Sequence, residues 1–375
     1  MSLGESVTLA ELETDPHPIL ARLRAAEPVA WVPVLDGWLV TRYDLAVRVL
    51  RDPGLYTVDD PRFSTARVVG RSMLSTDGVE HARHREPFLP PFRPPVVRDR
   101  FEPFVERTAR SLVAAIEPHG AAELRSTVAG PLAVAVVAEA LGLADVDPTT
   151  VLAWYSAFVD AVSEVSAGRP VPEPARAAFE SLRANLNSTI HSGLHPDEFA
   201  SDAAVLMFGG IDTTAGMITN AARHVLIDPP ARTPTDTVIG ESLRLEPTAT
   251  RVDRYATRDT DLSGASIRRG DLVIVSLAGA NRDPAVFPHP DDFDPLRPNA
   301  RANLAFAQGP HFCIGAALAR AETRIVLTQL LALPGIHLDP TQPNTPTGLI
   351  FRRPNELHLR WTPPARPATC PSSRG

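Results

Sequence analysis

Phe306-Ala307-Gln308-Gly309-Pro310-His311-Phe312-Cys313-Ile314-Gly315 is a loop with glycine and proline that runs directly into a strongly periodic helix, with a cysteine at the helix start. Unpaired backbone N–H groups and the positive end of the helix dipole favour thiolate over thiol there, which suits a metal ligand or a nucleophile. Gly309 and Gly315 let the backbone pass close to a flat, bulky ligand, and Phe306 and Phe312 offer apolar shielding. Beyond the loop, Ile314, Ala317, Leu318, Ala321 and Ile325 recur on one helical face, which is therefore buried. Arg320 and Arg324 fall on the more polar side.

Upstream, Gly209-Gly210-Ile211-Asp212-Thr213-Thr214 interrupts an apolar helix expected over Asp197 to Ile227. Two glycines cost about 1 kcal/mol each relative to alanine inside a helix, so something else must favour them. One reading is a break or close packing against a neighbour. The other is close backbone approach to a cofactor, with a local opening of the hydrogen-bond ladder at Asp212 and Thr213. Glu241 and Arg244 lie three residues apart on a further helix and can pair. His81 and Arg85 share a helical face in the same way, and Arg254 stands in a separate polar segment, Arg254 to Asp259.

Composition bounds the rest. The chain has 375 residues, 44% hydrophobic and 22% charged, as expected of a soluble globular protein long enough to bury a cofactor whole. Net charge is −7 without a basic block, which argues against nucleic acid as a partner. There is no lysine, so all 37 basic residues are arginine and any cationic surface is built of guanidinium groups. Acidic residues near the N-terminus and the lack of a long uncharged apolar run point to a cytoplasmic protein with no membrane anchor. The two cysteines, Cys313 and Cys370, do not suggest a disulfide framework.

Proline, 38 residues, clusters at breaks between periodic stretches. Helices are expected at Pro18 to Ala26, Tyr43 to Arg51, Arg98 to Ile116, Pro131 to Leu141, Thr150 to Ser166, Ala175 to His191, Asp197 to Ile227, Thr237 to Leu245 and Gly315 to Leu333. Strand-like runs are few: Val29 to Val32, Gly37 to Thr41, Asp271 to Ser276 and Leu357 to Trp361. The fold class is mainly α with small β-sheets, one domain over 1–362 and a disordered tail over 363–375.

The cysteine loop resembles the haem-binding signature of the cytochrome P450 family, met by Phe306, Gly309, His311, Cys313 and Gly315. One departure is Ala307, where the family commonly has glycine. Four further elements resemble family segments in family order: His81 with Arg85, the Gly209 to Thr214 segment, Glu241 with Arg244, and Pro290 to Arg297, whose arginine would complete a triad with Glu241 and Arg244. The resemblance runs from about Asp15 to Trp361. It implies the P450 fold, with haem b buried between the long central helix and the cysteine loop. Cys313 would be the axial thiolate and the metal ligand. Thr213 would position oxygen and water, and Asp212 would deliver protons. His81, Arg85, Arg254 and His311 would pair the haem propionates, with Gly209, Phe306, Gly309 and Gly315 against the cofactor.

The activity implied is a monooxygenase that inserts one atom of dioxygen into a lipophilic small molecule, of the kind used in secondary metabolism. Its electrons would come from a separate ferredoxin or flavodoxin with its reductase, docked near Arg320 and Arg324, and the protein would be a monomer. Expected pocket walls are Asp59 to Met73, Met207, Phe208, Ile211, Thr248 to Val252 and Gly348 to Phe351. The alternatives are a haem-thiolate peroxygenase or isomerase, or a haem-binding protein that has lost catalysis.

Overall fold

Apolar residues at helical spacing, punctuated by proline, give most of the chain its form. The computed structural model describes residues 2–186, 193–228 and 232–364. Among these are thirteen α-helices of six residues or more. They are α1 (Leu9–Thr14), α2 (His17–Ala26), α3 (Tyr43–Arg51), α4 (Ser64–Val69), α5 (Gly78–Arg85), α6 (Glu102–Ile116) and α7 (Gly130–Leu141). There follow α8 (Pro148–Ser166), α9 (Glu173–Asn185), α10 (Pro196–Gly210), α11 (Asp212–Ile227), α12 (Asp236–Leu245) and α13 (Ala316–Leu330). No described helix is long and apolar enough to cross a membrane.

The main sheet takes the order β1-β2-β8-β5-β3, from β1 (Val29–Val32), β2 (Gly37–Val40), β3 (Tyr56–Thr57), β5 (Arg251–Ala256) and β8 (Leu272–Ser276). Only β2 and β8 run parallel, Trp38 opposite Val273. β4 (Ala121–Glu123), β9 (His337–Leu338) and β10 (His358–Arg360) form a second sheet, and β6 (Thr260–Leu262) with β7 (Ala265–Ile267) a hairpin. The mainly helical class with small sheets is the observed one.

The largest apolar core unites α6, α7, α11, α12 and α13 around Phe101, Leu132, Ile218, Leu243 and Val326. A second joins α8, α9 and α10 around Phe158, Leu182 and Met207. These two cores hold the central helix and the helix after Cys313 in fixed relation.

Three expectations need correction. The helix expected over Asp197 to Ile227 is two helices, divided at Ile211, where ψ is −70°. The one expected from Arg98 is regular only from Glu102, because Val97–Phe101 is a π turn. β5 has no counterpart among the expected strands: its arginines and aspartate disguise a strand that only the tertiary structure buries. The ends of two expectations, helix over 187–191 and tail over 365–375, lie outside the described residues.

Candidate active site

A cavity of about 280 Å³ opens between the break in the central helix and the cysteine loop, with Gly209, Thr213, Phe306, His311, Cys313 and Gly315 on its wall. Gly315 caps α13, so the N–H groups of Gly315 and Ala316, with the Arg85 guanidinium, favour the Cys313 thiolate. Burial is nevertheless the larger effect and pushes the thiol up from its ordinary value. The sequence-based expectation of a thiol lowered by the helix terminus alone is thereby corrected. His311 is held by Asp77, its Nε2 2.8 Å from Oδ1.

The two central glycines answer different demands. A Cβ on Gly209 would meet nothing within 4 Å, whereas one on Gly210 would lie 2.7 Å from Cγ2 of Val137 on α7. Gly209 therefore exposes backbone to the cavity, and Gly210 lets two helices approach. Thr213 lines the cavity and donates through Oγ1 to the Gly209 carbonyl. Asp212, the first residue of α11, is turned away and held by two arginines. Its Oδ1 accepts from Arg125 Nη2 at 2.9 Å, and Arg353 Nη2 lies 2.9 Å from Oδ1 and 2.8 Å from Oδ2.

On another side, α5 and the sheet bring a set of donors together. His81 is buried at 4% exposure, yet neither ring nitrogen has a hydrogen-bond partner. Its ring lies 4.2 Å from that of His311, and burial, with His311 and Arg85 nearby, pushes its pKa down to about 4. Arg85 lines the cavity and donates to the Phe312 carbonyl at 2.6 Å. Arg254 shares the β5 face of Val252, which is also on the cavity wall. Burial lowers Arg254 to about 10, and nearby Asp77 opposes that. The unpartnered ring nitrogens of buried His81 fit an anionic partner, and two arginines with two histidines fit the paired carboxylates of haem.

Asp77 escaped the sequence reading. Burial alone would raise its carboxyl, but His311, Thr57 Oγ1 at 2.6 Å and the Val58 N–H at 2.9 Å hold it down to about 2. The only available signal was its place just before Gly78 and the helix bearing His81. Arg125 and Arg353 also escaped, as did Glu322, which lines the cavity with a buried, unpartnered Oε2 and a carboxyl raised by burial well above the usual range.

The expected triad is present and fully buried. Glu241 accepts from Arg244 Nε at 2.7 Å and from Arg297 Nε at 2.9 Å, and Arg244 also bonds the carbonyls of Asn281, Pro290 and Asp292. It ties α12 to the segment leading into the cysteine loop.

Other expectations change. Gly309 does not line the cavity: its φ is +76°, and a Cβ would lie 2.4 Å from the Leu50 carbonyl oxygen, so it serves packing against α3. Of the expected pocket walls, Met73, Phe208, Thr248, Ala249 and Val252 line the cavity, while Met207 and Ile211 turn into the second core. Arg320 lies over the Phe306 ring at 4.9 Å and Arg324 pairs with Glu102 at 2.8 Å.

The sequence profile described as Cytochrome P450 matches residues 228–359. The chain is 33% identical over 363 residues to the cytochrome P450 monooxygenase PikC of Streptomyces venezuelae, covering 88% of this chain and 86% of that protein. It is 32% identical to the nocardicin C N-oxygenase of Nocardia uniformis subsp. tsuyamanensis, covering 92% and 96%. The crystal structure of P450BioI in complex with a hexadec-9Z-enoic acid ligated acyl carrier protein superposes with a TM-score of 0.83 at 26% identity, covering 94% of this chain and 100% of that one.

Proposed function

The chain belongs to the cytochrome P450 family and is a haem-thiolate monooxygenase that binds haem b, and from this premise we propose that Cys313 is the iron ligand and that an uncharged, lipophilic small molecule is the substrate. The observation that carries the reading is the position of Cys313 on the wall of the same cavity as the Gly209–Thr213 break. When bound, haem supplies the binding and reduction of dioxygen, one atom going to the substrate and the other leaving as water.

The chain's own residues have separate tasks. His81, Arg85, Arg254 and His311 neutralise the propionates, while Asp77 fixes the ring orientation of His311. Gly209, Phe306 and Gly315 bound the cofactor. Thr213 donates to the Gly209 carbonyl, which leaves its hydroxyl oxygen to accept from water in the cavity. Asp212 passes protons to that water once its arginines give way. Leu74, Val205, Phe208, Ala249 and Val252 exclude bulk water and favour an apolar substrate.

Electrons come from a redox partner, which we take to be a ferredoxin or flavodoxin with its reductase, serving a cytoplasmic monomer. Phe312, 46% exposed and next to Cys313, marks the docking face together with Arg320 and Arg324. The test is the reduced carbon monoxide spectrum of the wild type beside Cys313→Ser. A red-shifted thiolate band in the wild type, absent from the variant, is expected; its absence from the haem-loaded wild type removes the assignment.

A further inference from the structure

Met73 and Leu74 on the cavity wall belong to a loop rather than to a helix or strand. The loop leaves α4 at Val69 and ends at Asp77, and its polar side chains Ser72, Ser75 and Thr76 are buried. They are spent on the loop itself: Thr76 Oγ1 donates to the Ser72 carbonyl at 2.8 Å, and Ser72 N donates to Ser75 Oγ at 3.1 Å. Local bonds of this kind fix the shape of a turn but not its place in the molecule.

The place is set by two successive residues of α10. Ser201 Oγ donates to the Val69 carbonyl, sharing its proton with that of Asp197. Asp202 Oδ1 accepts from Met73 N at 2.6 Å. Gly70, with φ +89°, allows the approach, since a Cβ there would lie 2.9 Å from Ser201 Oγ. Asp202 is fully buried, and its second oxygen lies 2.7 Å from Nδ1 of His84, itself buried on α5. Burial pushes this carboxyl up to about 6 against the pull of Met73 N–H and His84, which leaves it ionised at neutral pH. Behind it, His84 Nε2 lies 3.3 Å from Arg83 Nη2, and that guanidinium also bonds Glu80 and Glu198. The imidazole that backs Asp202 is thus held from the outside as well. At the far end of the loop, Asp77 is tied to His311.

A buried N–H that loses its acceptor costs the desolvation of the whole group, more than an ordinary hydrogen bond is worth in net terms. Without Asp202, the loop recovers a partner for Met73 N only by moving, and Met73 and Leu74 move with it. Asp202 is absent from the cavity wall, so a ligand feels it through these two side chains alone. We propose that Asp202 is a positioning residue that fixes the Met73–Leu74 wall, and so decides which ligand shapes the pocket accepts, selecting by bulk rather than by polarity. His84 is its support, turning one carboxylate oxygen to Met73 N–H. The proposal rests on the reading of the cavity as the substrate pocket of a haem enzyme.

The test uses the full-length, haem-loaded protein and compares two azoles by spectral titration: imidazole, which covers little more than the iron, and clotrimazole, whose aryl rings need the wall. Asp202→Ala should weaken clotrimazole by about fivefold or more and leave imidazole within about twofold of the wild type. Asp202→Asn, whose carbonyl still accepts from Met73 N, should recover most of the difference. Amide exchange over residues 70–77 should be faster in Asp202→Ala than in the wild type. Should Asp202→Ala fail to retain haem, Asp202→Ala with His84→Leu takes its place under the same expectations, because it removes the unpaired imidazole and still deprives Met73 N of its acceptor. Both azoles weakened in equal measure, clotrimazole unaffected, or exchange over 70–77 at the wild-type rate overturns the proposal. A haem-loaded wild type that gives no spectral shift with either azole instead overturns the reading of the cavity on which the proposal rests.

Discussion

Arg85 donates from Nη2 to the carbonyl oxygen of Phe312 at 2.6 Å, joining α5 to the loop one residue before Cys313. His81 lies one turn earlier on the same helix with both ring nitrogens unpartnered. The helix thus reaches two places at once, the Cys313 loop through Arg85 and the ring of His311 through His81.

Arg85→Ala removes the tie and a cation on the cavity wall together. Loss of a charged hydrogen-bond donor of this kind is worth about 1.5–3 kcal/mol, so haem should pass to apomyoglobin about 10- to 100-fold faster than from the wild type. Arg85→Lys should recover part of the difference. An unchanged transfer rate in Arg85→Ala removes Arg85 from the cofactor site.

The central glycines should respond oppositely to alanine. Gly210→Ala sets a methyl 2.7 Å from Val137 Cγ2 and should destabilise by about 1–3 kcal/mol through overpacking, with Val137→Ala as the rescuing partner. Gly209→Ala meets nothing within 4 Å and should leave stability level or raised by up to about 1 kcal/mol, while weakening azole binding by narrowing the cavity. Guanidinium unfolding and an azole titration on each variant measure the two effects. Equal destabilisation by both would falsify this division of roles.

Ala307 has φ +57°, in the left-handed region where a side chain is strained by about 1–2 kcal/mol. Ala307→Gly relieves that strain but adds freedom to the unfolded chain, leaving a net gain of roughly 0.5–1 kcal/mol in denaturant unfolding. A loss of stability would show that the methyl, packed against the core of the main sheet, contributes more than the strain removes.

Acid should unfold the protein in a defined window. Glu246 is buried and accepts from Arg352 Nε at 2.8 Å. Burial alone would raise its carboxyl, but His17 and Arg352 outweigh this and hold it at about 2, against an ordinary 4.5. A depressed carboxyl stabilises fully above 4.5, and that contribution drains away as pH falls towards 2, on the order of 3 kcal/mol in all. Buried His224, pushed down to about 3 by desolvation, acts with the same sign: the unfolded chain takes up its proton below 6.5 and the folded chain does not. Thermal unfolding from pH 7 to 3 should therefore show a falling midpoint from about pH 6.5, steeper below 4.5. Glu246→Gln should lower the midpoint at pH 7 and flatten the fall below 4.5, of which Asp77 keeps a share; a parallel curve contradicts the assignment.

Much of the site was readable because it is written in short stretches. The loop from Phe306 to Gly315, the pair Glu241 and Arg244, and the break from Gly209 to Thr213 hold their residue types at fixed covalent spacing, so helix geometry alone places each set on one turn or one face. The sequence likewise carried the helical class, the cysteine proposed as iron ligand and the resemblance that led to haem. What it could not carry is which distant side chain fills a given gap. Asp212 meets arginines 87 and 141 residues away, and His311 meets an aspartate 234 residues away. Period and spacing leave such partners open, because an exposed-looking arginine and a buried ligand arginine have the same side chain. The separate duties of Gly209 and Gly210, the packing role of Gly309, and the pairing of Asp212 were decided only when α7, α3 and Arg353 closed on them, since steric room and desolvation are properties of the packed neighbourhood rather than of the residue.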